Sequence, residues 1–265
     1  MEDLVSARER FGFLRYRIEK AIAVDKDDSI LQYCFGRRVL DLGFLNHSDE
    51  GYFNSSQLHT KLMSSAHRVD GIDINMEGVQ KNESGGLDCS LDFSEVLHYK
   101  LSKNKYDVIV AGDIIEHLSG FKGFFTNCRQ LLDVKGKLLI TTPNPFYIDQ
   151  IAFTWLKGFP MLNPDHTCWF DPFALDKMLM DNGFSIDRFC WLKGDYEWKL
   201  PSFLIHSIRT HWYNHVTGCW DETSSWERKI ISLAFYLPWL FMRKILTMIR
   251  PLNRWAGFMV VCSTE

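Results

Sequence analysis

The sequence predicts an α/β protein: a mostly parallel sheet with helices on both faces and a helical insertion before the last strand. Three observations predict it. Short apolar runs alternate with stretches of helical periodicity along the chain. The runs are apolar throughout, as from Val108 to Ala111, the pattern of strands covered on both faces. Acidic residues and glycines then fall just after the runs, at Asp41–Gly43, Asp73, Asp88 and Asp113. Ligands of such sheets lie beyond the carboxyl ends of the strands.

The elements follow in order. Leu4, Ala7, Phe11, Leu14, Ile18 and Ala21 recur at helical steps, so an amphipathic helix precedes the first strand and packs on the sheet or lids its open end. "RRVLDLG" (37–43) is a strand, "SSQLHTKLMSSA" (55–66) a helix, and "HRVDGIDI" (67–74) a second strand. "GGLDCSLDF" (85–93) holds a short third strand, and "KYDVIVAGD" (105–113) is the clearest of all. "LSGFKGFFTNCRQLLDV" (118–134) is a helix closed by a "KGK" turn, followed by "KLLITTPNP" (137–145), a fifth strand stopped by Pro143 and Pro145. "DPFALDKMLMDNGF" (171–184) is a helix with Asp171 as N-cap and Gly183 as C-cap. "SIDRFCWL" (185–192) and "GFMVVCST" (257–264) complete seven strands. The expected organisation is one domain over 1–265: an N-terminal helical lid (1–36), a cofactor-binding core (37–193), a helical substrate cap (194–256) and the last strand (257–265).

Composition narrows the function. A net charge of −3 gives no basic surface for nucleic acid, which is not expected as a partner. Seven cysteines without a CxxC pair read as reduced thiols, neither a disulfide frame nor a zinc site. The charged N-terminus lacks the apolar core of a signal peptide, so a cytoplasmic location is expected. The apolar run from Ile230 to Met242 is too short to span a bilayer and contains Pro238. The preferred reading is a buried helix pair over the active site; the sharper one is peripheral membrane contact through 228–250.

The residues after the strands suit a nucleoside ligand. Asp73 is placed to accept from both ribose hydroxyls, and Asp88 with the next backbone N–H can meet an adenine edge. At this point the runs "RRVLDLG", "VDGIDIN", "LDC", "YDVIVAGDIIEHL", "KLLITTPNP" and "HTCWFDPFALDKMLMDNGF" together resemble a class I S-adenosylmethionine-dependent methyltransferase, over roughly 37–189. The resemblance implies a Rossmann-like seven-stranded sheet whose last strand is antiparallel. It implies that Asp41 and Gly43 border the methionine part of S-adenosyl-L-methionine, Asp73 and Ile74 the ribose, Asp88 and Cys89 the adenine, and Gly112 and Asp113 the sulfonium. The first loop departs from the family, keeping Gly43 where two or three glycines are usual. The cofactor has no pyrophosphate, so the loop need only pass the methionine moiety without a clash, with Asn46 or His47 donating to its carboxylate. On this reading Gly43→Val abolishes cofactor binding and Phe44→Gly leaves it intact.

"GDIIEH" offers more chemistry. Asp113, Glu116 and His117 would share one side of a helix beginning after Asp113. The same arrangement is a divalent-metal site in some family members, ubiquinone-pathway and small-RNA O-methyltransferases among them, with a downstream histidine that His166 could supply. Such ligands suit Mg²⁺ or Mn²⁺. The alternative is that Glu116 caps or lines the cleft and His117 or His166 acts as base. His211 and His215 lack a third ligand, and Asn144 is placed to line the acceptor pocket. The expected function is methyl transfer to an oxygen of a small molecule (a sugar or glycan precursor, a phenol or an isoprenoid) under an aromatic lid that includes Trp155, Phe159, Trp169, Phe170, Tyr196, Trp198 and Trp212. A non-catalytic scaffold on a degenerate fold, a small-RNA 2′-O-methyltransferase-like enzyme and a nicotinamide-dependent oxidoreductase are the other readings; the lone Gly turn and "DIIEH" argue against the last.

Overall fold

A computed structural model describes residues 2–44, 58–73, 91–92, 105–148, 150–151, 154, 163, 165–193 and 255–264. Its strands are β1 (Ala23–Val24), β2 (Arg38–Leu42), β3 (Arg68–Asp73), β4 (Leu91–Asp92), β5 (Tyr106–Gly112), β6 (Leu132–Pro143), β7 (Phe184–Leu192) and β8 (Gly257–Thr264). The helices are α1 (Glu2–Lys20), α2 (Lys26–Cys34), α3 (Leu58–Ser65), α4 (Phe121–Leu131) and α5 (Pro172–Asp181), with a 3₁₀ turn at Ile115–His117. The strands form one sheet in the order β1-β7-β8-β6-β5-β2-β3-β4. All pairings are parallel except those of β8, which runs antiparallel between β6 and β7. The seven expected strands are present, and β1 is an eighth at the edge of β7. Two residues are too few to leave a periodic signal in the sequence.

Alternation along each strand divides the core. Val39, Val108, Val110, Met259 and Val261 face Ile30 and Cys34 of α2 and Leu62 of α3. Leu40, Leu42, Ile109, Ala111, Phe258 and Val260 face the other way, onto Phe124 and Phe125 of α4, Leu175 and Leu179 of α5, and Leu14 and Ile18 of α1. Each face buries its own apolar set, which drives assembly from both sides. The first helix is thus a layer of the sandwich: Trp191 Nε1 donates to the Ile18 carbonyl at 3.2 Å, and Phe11 stacks on Phe173 at 4.4 Å. The segment after α1 lies alongside the carboxyl end of β7 as β1. Trp191 N donates to the Ile22 carbonyl and Lys193 N to that of Val24, at 3.0 and 2.9 Å.

Two boundaries differ from the sequence reading. The fourth helix ends at Leu131, and "KGK" lies inside β6 rather than in a turn. Pairing with β5 jumps from Tyr106↔Leu132 to Val108↔Lys137, a bulge that Gly136 permits: a Cβ there would lie 3.0 Å from both the Asp133 and Tyr106 carbonyl oxygens. Arg38 holds the base of this region, donating to Asp107 at 2.6 Å and to Asp133 at 2.7 Å. The α5 caps form nearly as expected. Asp171 accepts from Phe173 N and Ala174 N; the C-cap is Asn182, with Gly183 one residue beyond at φ +75°. The expected cap (194–256) lies outside the described residues apart from Trp255 and Ala256, and so does the 228–250 segment. Among the described residues no helix is long and apolar enough to cross a membrane, and the five described cysteines are free thiols.

Candidate active site

The strand order reverses between β2 and β5, since the chain winds outward to β3 and β4 from one and to β6 from the other. A ligand crevice is expected at that junction, and Gly43 and Gly112 flank it.

Gly43 turns the chain at φ +66°, and its N–H donates to the Ile72 carbonyl at 2.7 Å. A Cβ on Gly43 would fall well inside contact distance of Ile114 Cδ1. The loop then anchors itself by a side chain. Phe44 is buried and tilts against His59 at 4.6 Å, over Gly71, where a Cβ would lie 2.6 Å from its ring. His59 Nδ1 lies 2.8 Å from Asp41 Oδ2, and both side chains are buried. The sequence reading missed His59 and did not foresee that Phe44 packs as an anchor of the loop. Phe44→Gly is expected to cost about 3 kcal/mol through the lost burial and cavity, measured by denaturant unfolding; a loss under about 0.5 kcal/mol would refute the anchoring role. Asp73 is buried at the end of β3. Asn46, His47, Ile74, Asp88 and Cys89 lie outside the described residues.

Asp113 follows β5 at φ +53°, a left-handed conformation rare outside glycine. The structure over-determines it. Its N–H donates to the Thr141 carbonyl and hydroxyl at 3.1 and 3.0 Å, Thr141 Oγ1 donates to Oδ1 at 2.8 Å, and Lys26 Nζ donates to Oδ2 at 2.5 Å. Lys26, the first residue of α2, is a site residue the sequence reading did not identify. Its ammonium loses hydration through burial, but the Asp113 carboxylate outweighs that loss and its pKa is raised.

The carboxylate–imidazole cluster forms without the helix that the sequence suggested. The 3₁₀ turn brings Glu116 and His117 together, while Asp113 stays with Lys26 and Thr141. His166 arrives from another segment, stitched on by backbone: Thr167 N donates to the Glu116 carbonyl at 2.8 Å, and Thr167 Oγ1 donates to the Leu118 carbonyl at 2.6 Å. One ligand atom each from Glu116, His117 and His166 falls within 4.8 Å of the others. The two imidazoles meet edge to face at 4.6 Å. His117 Nδ1 lies 3.2 Å from the Asp165 carbonyl, which can only accept, so Nδ1 donates there and Nε2 is the atom that could take a proton or a metal. Glu116 accepts from Thr142 Oγ1 at 3.1 Å. Burial, then the nearby Asp113 charge, pushes its carboxyl up to about 7. Burial and the neighbouring His117 lower the His166 pKa, which keeps the ring neutral. One buried carboxyl group and two imidazoles have the chemistry of a divalent-metal ligand set, and equally of a proton-accepting site.

"TTPNP" therefore does more than stop a strand: its two threonines orient the two carboxylates of the β5 loop. Asn144 is also a latch, buried, with its amide donating to the Trp255 carbonyl at 2.9 Å and its N–H to that of Ala256 at 2.7 Å. Of the expected aromatic lid, Phe170 is core, packed edge-on against Phe121 at 5.5 Å, because α5 draws it under α4. Trp169 is half-buried, and Trp155, Phe159, Tyr196, Trp198 and Trp212 lie outside the described residues, as do His211 and His215.

Known proteins agree with this architecture. A family model described as a methyltransferase domain matches residues 7–188. A probable S-adenosylmethionine-dependent methyltransferase of Mycolicibacterium smegmatis is 29% identical over 181 residues, covering 68% of this chain and 62% of the relative. The mitochondrial ubiquinone biosynthesis O-methyltransferase of Bos taurus is 25% identical over 193 residues, covering 67% and 48%. The chain thus spans about half to three fifths of the length of these curated relatives. The solved structure of an S-adenosylmethionine-dependent methyltransferase from Archaeoglobus fulgidus shares the fold at a TM-score of 0.52 and 16% identity, over 89% of this chain and 90% of that one. The matched region runs from α1 into β7 and takes in the Gly43 turn, the Asp113 turn and the Glu116–His117–His166 cluster: the chain belongs to the methyltransferase-domain family.

Proposed function

We propose that the protein transfers a methyl group from S-adenosyl-L-methionine to an oxygen of a small-molecule acceptor. The reading is carried by one observation: the Glu116–His117–His166 cluster stands beside the Gly112–Asp113 turn, at the switch in strand order where sheets of this kind bind ligands. An oxygen held at the cluster lies next to a methyl presented over β5. The name of the bovine relative, a ubiquinone biosynthesis O-methyltransferase, favours an oxygen acceptor.

The chain's own residues have definable tasks. Gly43 and Gly112 let the backbone pass close to the cofactor. The stitched turn at Glu116–Leu118 fixes the acceptor oxygen in line with the methyl carbon and sulfur, and this positioning is the largest rate contribution expected. His117 Nε2 or the neutral His166 accepts the hydroxyl proton as the new C–O bond forms. Glu116, His117 and His166 also fit Mg²⁺ or Mn²⁺, which when bound would lower the pKa of a ligated hydroxyl.

Calorimetric titration with S-adenosylmethionine, with NADH as control, tests the reading. Heat with the first and none with the second is expected, and a folded protein silent towards S-adenosylmethionine would leave only the scaffold reading. Titration of Mn²⁺ into wild type and His117→Ala tests the metal. Loss of one of three ligands should weaken binding at least tenfold, whereas equal isotherms would assign the cluster to proton transfer alone.

A further inference from the structure

The carboxylates at the crevice differ in access. Asp41, Asp73 and Glu116 are buried, while the Asp113 side chain is 46% exposed. Of these four, Asp113 is therefore the one most open to an incoming cation at the β2–β5 junction. Its present partner is the Lys26 ammonium, whose Nζ also lies 3.9 Å from where a Cβ on Gly112 would stand.

Nothing about this pair serves the fold well. A half-exposed ion pair adds little stability. Lys26 occupies the first position of α2, where the helix dipole disfavours a cation. Thr141 already holds Asp113 in its left-handed turn from three directions. The pair is thus cheap to break, and its breaking leaves the backbone in place. The Val24 and Ile22 carbonyls tie the approach to α2 onto β7, so exchange needs only a rotation of the lysine stem.

S-Adenosylmethionine brings cations of its own, a sulfonium and an ammonium. Resting on the cofactor reading above, we propose that Lys26 is a charge competitor of the cofactor at Asp113. It neutralises Asp113 in the empty crevice, yields to the cationic cofactor, and returns once the methyl has left. In that transfer the C–S bond breaks with its electron pair going to sulfur, the C–O bond forms, and the hydroxyl proton goes to His117 or His166. S-Adenosylhomocysteine is a neutral thioether at sulfur and no longer displaces Lys26. Lys26 thereby lowers the affinity for the cofactor, leaves that for the product unchanged, and so sets the preference between the two.

Titration of both ligands into wild type, Lys26→Met and Lys26→Arg tests this. Methionine keeps the stem and removes the charge. Lys26→Met should bind S-adenosylmethionine roughly two- to fivefold tighter, the range of an exposed ion pair, with S-adenosylhomocysteine affinity near wild type and Lys26→Arg unchanged for both. Weaker S-adenosylmethionine binding by Lys26→Met would make Lys26 a cofactor contact and overturn the proposal, as would equal shifts for both ligands or none. Lys26→Gln serves as a second neutral variant if Lys26→Met fails to fold. A folded wild type that binds neither ligand would remove the cofactor reading itself, and the proposal with it.

Discussion

Gly43→Val is expected to abolish cofactor binding and to lower the melting temperature by roughly 6–12 °C. Two costs add. A left-handed backbone disfavours any side chain by about 1–2 kcal/mol, and a β-branched one more. The new side chain also meets Ile114, which is packed against the core beneath the Asp113 turn, an overpacking cost of about 1–3 kcal/mol. The second cost links the two halves of the crevice, because Ile114 moves the turn that carries Glu116 and His117. Gly43→Ala combined with Ile114→Ala should recover the steric part and leave the conformational part. Melting curves and titration of S-adenosylmethionine measure both. Near wild-type affinity in Gly43→Val would sink the assignment of this turn.

Glu116→Gln should stabilise the metal-free protein at alkaline pH while abolishing any Mn²⁺ response. Burial raises the Glu116 carboxyl from 4.5 to about 7. The folded protein therefore holds a proton there that the unfolded chain has released, and stability falls as pH rises from about 4.5 to about 7. The full shift corresponds to about 3 kcal/mol as an upper bound. The neutral amide keeps the size of the side chain and can still accept from Thr142. With a chelator present, Glu116→Gln should gain about 2 kcal/mol over wild type at pH 8 and little at pH 5. Equal differences at both pH values would show that the carboxylate is not penalised by burial. The expected gain would mean that the wild-type carboxylate is kept at a cost in stability, as at other sites where perturbed carboxylates serve chemistry.

Much of this was legible in the sequence, for identifiable reasons. Strands β2, β5 and β8 are apolar on both faces, and composition alone marks such strands. Asp171 and Gly183 are local signals whose meaning needs no tertiary contact. Glu116, His117 and His166 could be gathered as a set, but not their geometry: the expected helix would have included Asp113, whereas the Thr141 clamp turns Asp113 away and leaves a 3₁₀ turn for the other two. The residues missed share one trait. Lys26, His59 and the two threonines act on partners 18 to 87 positions away, and no periodicity reports a pairing of that kind. The packing of Phe44 was illegible for a related reason: only the space above Gly71 reveals it as an anchor of the loop.

The antiparallel last strand carries a consequence for how the chain can change. Leu192 at the end of β7 pairs with Gly257 at the start of β8, which also pairs with Pro143, and Asn144 fastens Trp255 and Ala256 alongside. The stretch of 61 residues from 194 to 254 thus leaves and re-enters the sheet at neighbouring points, both fixed by strand pairing rather than by its own contents. Closing a chain between fixed points costs little more for a long segment than for a short one. The sheet is in effect a socket at its carboxyl end, in which evolution or a designer can exchange a long segment while the strands on either side stay as they are.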